Sequence, residues 1–295
     1  PPALSAQFIY GDALPDAPAL SARGDHAVGV RTITILNSDQ LNIAAAKDGK
    51  IPTYDRSLKV EVWYPAEADA SATISYQEIM GQFPDTTRPN IPFTFMGRAT
   101  RDAKPKAGAT PYPLVVVSHG YTGSRLLMTY LTENLASKGY VVAAIEHTES
   151  TFDNAGPFPS TLYFRPIDIR FTIDEMERMS AAGSGTFLAG LTDAQNTAII
   201  GYSMGGYGAL IFGGAGVTQG STEYPWGTPN GLLTAHLAGY DTHKALMDNR
   251  VKATIAIGPW GNNAGFWDAT GLSGFSKPLM LMAGGVDDVS VYSAI

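Results

Sequence analysis

The residues best placed to do chemistry are Gly201-Tyr202-Ser203-Met204-Gly205, set between the apolar run Thr197–Ile200 and the small residues Gly206, Gly208 and Ala209. An apolar run that stops at a glycine and resumes as a helix predicts a tight turn. Its flanking positions are too crowded for side chains, so the central hydroxyl is thrust out above the sheet edge. A serine presented this way is a nucleophile for acyl transfer. Such a serine needs a base to take its proton, an acid to orient the base, and N–H groups to hold the oxyanion.

The donors can be placed. One is the N–H of Met204, directly after the nucleophile. The other belongs to the loop after Leu114–Val117, His119-Gly120-Tyr121-Thr122-Gly123, where the N–H of Tyr121 is expected to serve. The orienting acid should follow a later strand. Leu279–Ala283 runs into Gly284-Gly285-Val286-Asp287-Asp288, so Asp287 is the expected acid and its neighbour Asp288 the alternative.

The base is harder to place. An elbow of this kind is followed in chain order by the acid and then by histidine. The five histidines are His26, His119, His147, His236 and His243, all upstream of Asp287. His119 is expected to have a structural role in the oxyanion loop and His147 to make a local hydrogen bond. Glu146-His147-Thr148-Glu149 does not have the spacing of a metal site. The expectation is that the base lies on polypeptide following Ile295.

The elements that must position these residues are short, mostly apolar runs: Leu114–Val117, Tyr140–Ile145, Thr197–Ile200, Ala253–Ile257 and Leu279–Ala283. Strands covered on both faces by helices read this way, so a mainly parallel sheet is predicted. Leu58–Tyr64 alternates like a half-exposed antiparallel strand, with Val28–Ile35 a less regular candidate before it. Leu127, Leu131 and Leu135 mark a helix that Gly139 stops. Pro166–Ser180 reads as a second helix, with Ile169, Ile173 and Met176 on one face and Asp168, Arg170 and Asp174 on the other. Residues 1–27 read as an irregular lead-in and residues 66–111 as surface loops. Residues 214–250, around Tyr224-Pro-Trp-Gly227, read as a lid or rim insertion within one domain spanning 1–295.

Composition narrows the function classes. The 295 residues are 44% hydrophobic and 16% charged, which favours an extensive core. A net charge of −7 gives no footprint for nucleic acid or anionic membrane. No apolar run approaches the roughly 20 residues of a membrane span. With no cysteine there is no disulfide, thiolate metal site or cysteine nucleophile. Pro1-Pro2-Ala3-Leu4-Ser5 is not a signal peptide. The compartment stays open, with a secreted or periplasmic setting favoured.

From residue 112 the chain resembles the α/β-hydrolase superfamily, specifically bacterial esterases similar to platelet-activating-factor acetylhydrolase. The matching pieces are Tyr112–Gly120, Ala144–His147, Arg165–Asp168, Gly201–Gly205 and Asp287–Ser290. Gly120–Gly123, Leu135–Val142, Ser203–Gly206 and Gly258–Trp260 are similar to segments of cutinase-like polyester hydrolases. That second resemblance implies an apolar acyl or aromatic cleft lined by Tyr121, Met204 and Trp260. Together they imply an α/β-hydrolase fold with helices flanking a mostly parallel sheet, and a C-terminal part not included in these residues. The implied activity is hydrolysis of carboxylic esters, small or polymeric, with no cofactor and no metal. A lipolytic or polyester-cleaving enzyme and a catalytically silent binding protein of the same fold are the rival readings. Both families carry their histidine beyond a further helix and strand, which implies roughly 40–80 residues after Ile295.

Overall fold

A computed structural model describes residues 9–295. In chain order its elements are β1 (Val28–Leu41), β2 (Thr53–Glu67), β3 (Ile74–Met80), β4 (Ile91–Gly97), β5 (Thr100–Arg101), β6 (Lys104–Pro105) and β7 (Tyr112–Ser118). Then come α1 (Thr129–Ser137), β8 (Val141–Glu146), α2 (Phe158–Ser180), β9 (Thr192–Tyr202), α3 (Met204–Phe212), α4 (Asp241–Lys244), β10 (Val251–Ile257), α5 (Ala269–Leu272) and β11 (Leu279–Met282).

The main sheet runs β11-β10-β9-β7-β8-β2-β1-β5, with β6 beside β2. From β11 to β8 every pairing is parallel; β2 joins β8 and β1 antiparallel. The unbroken apolar runs have a physical cause. Along β7, Leu114 and Val116 face a core shared with Ile169, Ile173 and Met176 of α2. Val115 and Val117 face a second core with Leu126, Met128 and Ala136 on the α1 side. Neither face meets water, so no alternation is needed.

The expected helix around Leu127–Leu135 is α1, and Gly139 after it takes a φ of +93°. Its fully buried face is Thr129, Thr132, Glu133 and Ala136, whereas the three leucines are half-buried. Glu133 accepts from the Tyr76 hydroxyl and the Arg98 N–H, both at 2.8 Å.

Three readings need correction. Residues 66–111 hold the hairpin β3–β4, whose register runs from Ile74↔Gly97 to Met80↔Ile91. The second helix starts at Phe158, eight residues before Pro166, and Asp168 is fully buried rather than on a polar face. β11 is not covered on both faces. Leu279, Met280, Leu281 and Met282 are 38%, 55%, 45% and 44% exposed at the sheet edge. No helix among the described residues is long and apolar enough to cross a membrane.

Candidate active site

β9 delivers Ser203 into a backbone conformation of φ 53°, ψ −116°, outside the regions ordinary L-residues favour. The turn is held from three sides. Ser203 N–H donates to Ile257 O at 2.8 Å, and Ser203 O accepts from Tyr207 N at 3.0 Å and Trp260 N at 3.3 Å. The flanking glycines are required by space. A Cβ on Gly205 would lie 1.9 Å from the Ser118 carbonyl oxygen, and one on Gly201 2.2 Å from the Gly205 carbonyl oxygen.

The loop after β7 closes on this turn. A Cβ on Gly120 would meet Ser203 Cβ at 3.3 Å, so the loop backbone lies against the serine. The N–H groups of Tyr121 and Met204 make no hydrogen bond among the described residues. Ser203 opens into a cleft of about 390 Å³ lined by Tyr121, Phe158, Met204, Tyr224, Trp226, Trp260 and Val289. The rings touch edge to face: Phe158 lies 5.5 Å from Tyr121 and 5.2 Å from Trp260, centroid to centroid. Tyr121, Met204 and Trp260 are thus brought together with Ser203.

Phe158, Tyr224, Trp226 and Val289 were not anticipated in this cleft. Phe158 was hidden because Pro166 masked the true start of α2. Tyr224 and Trp226 carried a signal, being aromatic residues in the 214–250 insertion.

Asp287 stands in the turn after β11. Its Oδ1 accepts from Val289 N at 2.9 Å and Ser290 N at 2.8 Å. Its Oδ2 faces Gly258, 3.5 Å from where a Cβ there would sit. Ser290 Oγ donates to Gly258 O at 2.9 Å, which ties this turn to β10, the strand that also holds Ser203. Asp288 is exposed and makes no side-chain hydrogen bond.

Four of the five histidines are engaged elsewhere. His147 is buried between Ser118 Oγ and Asp168 Oδ2, each at 2.8 Å, so its bonds are long-range rather than local. His119 Nδ1 lies 2.6 Å from Gly120 O, and its Nε2 accepts from His147 N at 3.1 Å. Those partners assign the proton to Nδ1 in both rings. His236 and His243 bond the carbonyls of Tyr163 and Ile211. Burial, reinforced by Arg165, pushes the His147 pKa down to about 3 against the pull of Asp168. Burial also holds His119 well below the usual range.

Beneath the site lies a buried charged scaffold built from residues far apart in the sequence. Arg56 grips Asp168 with two bonds, Nε to Oδ1 at 2.8 Å and Nη2 to Oδ2 at 2.9 Å. Burial raises the Asp168 pKa, but Arg56 and His147 outweigh it and hold the carboxyl down at about 2. Arg165, also buried, reaches the loop carbonyls of His119 and Gly120. Among the described residues no cluster of His, Asp or Glu has the arrangement of a metal site.

The parallel sheet flanked by helices, with a strained serine between β9 and α3, defines an α/β-hydrolase fold. The family model described as platelet-activating factor acetylhydrolase, isoform II, matches residues 20–152, and the PET hydrolase-like model matches 100–226. The chain thus resembles esterases of both kinds. Two cutinases of Thermobifida alba, est1 and est2, are each 34% identical to it over 99 residues, 34% of this chain. The match spans 29% of each cutinase's own length. A ferulic acid esterase from Streptomyces cinnamoneus superposes with a TM-score of 0.51 at 23% identity, covering 90% of this chain and 66% of that one.

Proposed function

We propose that this chain carries the nucleophile and oxyanion site of a serine carboxylic ester hydrolase. The observation that carries the reading is a strained serine facing an aromatic cleft, with two unpaired N–H groups beside it. Ser203 Oγ attacks the ester carbonyl, and the N–H groups of Tyr121 and Met204 receive the oxyanion. Collapse expels the alcohol and leaves an acyl-enzyme, which water then hydrolyses. Asp287 is the orienting acid in this scheme. His119, His147, His236 and His243 are each bonded to other groups, so none of these four is assigned as the base.

The cleft suits an apolar or aromatic acyl group. Trp226, 68% exposed at its rim, favours large or polymeric esters. The cutinase and PET hydrolase-like resemblances point the same way. A fluorophosphonate probe tests the reading: Ser203 should be labelled, and Ser203→Ala should not. Wild-type protein of natural length, base included, that hydrolyses no nitrophenyl ester and takes no label at Ser203 would make this a silent binding fold.

A further inference from the structure

We propose that Arg165 is the positioning residue of the oxyanion site, setting the direction of the Tyr121 N–H by gripping the carbonyl on the other side of the same peptide unit. The kinetic half of this inference rests on the ester-hydrolase reading; the geometric half does not.

Arg165 lies on α2, and its side chain is buried beneath the loop after β7. Nη2 donates to Gly120 O at 3.0 Å and to Ser150 Oγ at 2.7 Å, while Nη1 donates to His119 O and, at 3.4 Å, to Ser118 Oγ. His119 Nδ1–H adds a second bond to Gly120 O. The Gly120–Tyr121 bond is not among the cis peptides of the chain, so its N–H points away from its C=O. With Gly120 O pulled down into the α2 side by two donors, the Tyr121 N–H is directed to the opposite side of the peptide. A Cβ on Gly120 would lie 3.3 Å from Ser203 Cβ, so this peptide is beside the serine, and its N–H has no partner among the described residues. A peptide released from this grip could rotate and present its carbonyl to the serine instead, turning a donor into an acceptor.

The surroundings of Arg165 argue against a purely structural role. Its acceptors among the described residues are two carbonyls and two hydroxyls, with no carboxylate among them, and Nε has no partner there. A buried cation so placed costs folding stability, and an apolar side chain would serve packing better. Burial lowers its pKa to about 9, so it stays charged at neutral pH. A guanidinium bonded to Gly120 O polarises that peptide and strengthens its N–H as a donor. It also places a fixed positive charge under the spot where negative charge develops. The fold makes room for it: a Cβ on Gly208 of α3 would fall 2.7 Å from Arg165 Cβ.

Three variants of the full chain test this. Arg165→Lys keeps a charge but cannot reach both carbonyls, Arg165→Gln removes the charge, and Ser150→Ala deletes one anchor while leaving the guanidinium. On a nitrophenyl ester, Arg165→Gln should lose about 10²- to 10³-fold in kcat with KM little changed, the pattern for a lost oxyanion donor. Arg165→Lys and Ser150→Ala should lose less, in the same direction. A crystal structure of Arg165→Gln should show the Gly120 carbonyl turned from its wild-type direction. A folded Arg165→Lys or Ser150→Ala protein with wild-type kcat, or an unmoved Gly120 carbonyl in the Arg165→Gln crystal, overturns the proposal. If wild-type protein shows no Ser203-dependent turnover, the ester-hydrolase reading fails, and the carbonyl direction alone decides the role of Arg165.

Discussion

The hydroxyl of Tyr207 donates to the carbonyl of Leu162 at 3.0 Å across the contact between α3 and α2. In a regular helix that carbonyl would accept from the N–H of residue 166, which here is a proline and has none. The elbow helix therefore supplies the bond that the neighbouring helix lacks, four residues after Ser203. Tyr207→Phe should leave the packing intact but strand a buried carbonyl, costing about 1–3 kcal/mol. Urea denaturation measures it, and a midpoint equal to wild type would show that the bond contributes nothing.

Ser203→Ala should abolish ester hydrolysis, by on the order of 10⁶ in turnover, as expected for loss of a triad nucleophile. Its thermal stability should match or exceed that of the wild type, because alanine makes the same turn without the hydroxyl. Retention of most of the wild-type rate on a nitrophenyl ester would remove Ser203 from the mechanism.

Trp260→Ala should mainly raise KM. The ring lines the cleft and packs on Phe158, so it binds ground and transition states alike. Steady-state kinetics on short and medium acyl esters separate the two parameters. A fall in kcat alone would give Trp260 another role.

Acid should begin to destabilise the fold near the pH at which unfolded histidine titrates. His147 and His236 are buried neutral, with pKa values pushed down to about 3 and about 4. Unfolded histidine titrates near 6.5, so below that pH the unfolded chain binds more protons than the folded one, and stability falls as pH drops. Two such groups give a slope on the order of 2 kcal/mol per pH unit, steepest near pH 5, and His119 adds to it with the same sign. Asp168 behaves differently: its contribution is intact above about 3.9 and is lost only as pH falls through about 2. Denaturant midpoints taken from pH 7.5 to 4.5 measure the slope, and a flat profile would mean these rings are not buried neutral.

Much of this architecture is legible locally. The apolar runs around Val115, Ala143, Ile199 and Ile255 mark strands because burial on both faces removes polar residues from the sequence itself. Gly201 and Gly205 reveal the turn because only glycine fits beside the carbonyls packed there. The hairpin β3–β4 is not legible: its strands are separated by ten residues rich in proline and polar side chains, and β4 itself contains Pro92. Asp168 was assigned to a polar face because its burial depends on Arg56, 112 residues earlier in the chain. A helical period cannot report that partner. The same holds for Arg165, whose sequence neighbours give no hint of the carbonyls it reaches 45 and 46 residues upstream.

The bare edge of β11 has a consequence for how the protein behaves as a colloid. Natural sheet edges usually carry a lysine, a proline or a bulge that discourages a second strand from adding. Leu279–Met282 itself offers only aliphatic and thioether side chains, and the lysine and proline nearest to it, Lys277 and Pro278, stand just before the strand. A net charge of −7 supplies a long-range repulsion between copies. Salt shortens the reach of that repulsion from roughly 30 Å at 0.01 M to about 8 Å at physiological ionic strength. These 295 residues on their own should therefore stay dispersed in dilute buffer and associate edge to edge as ionic strength rises, the reverse of a protein held together by ion pairs.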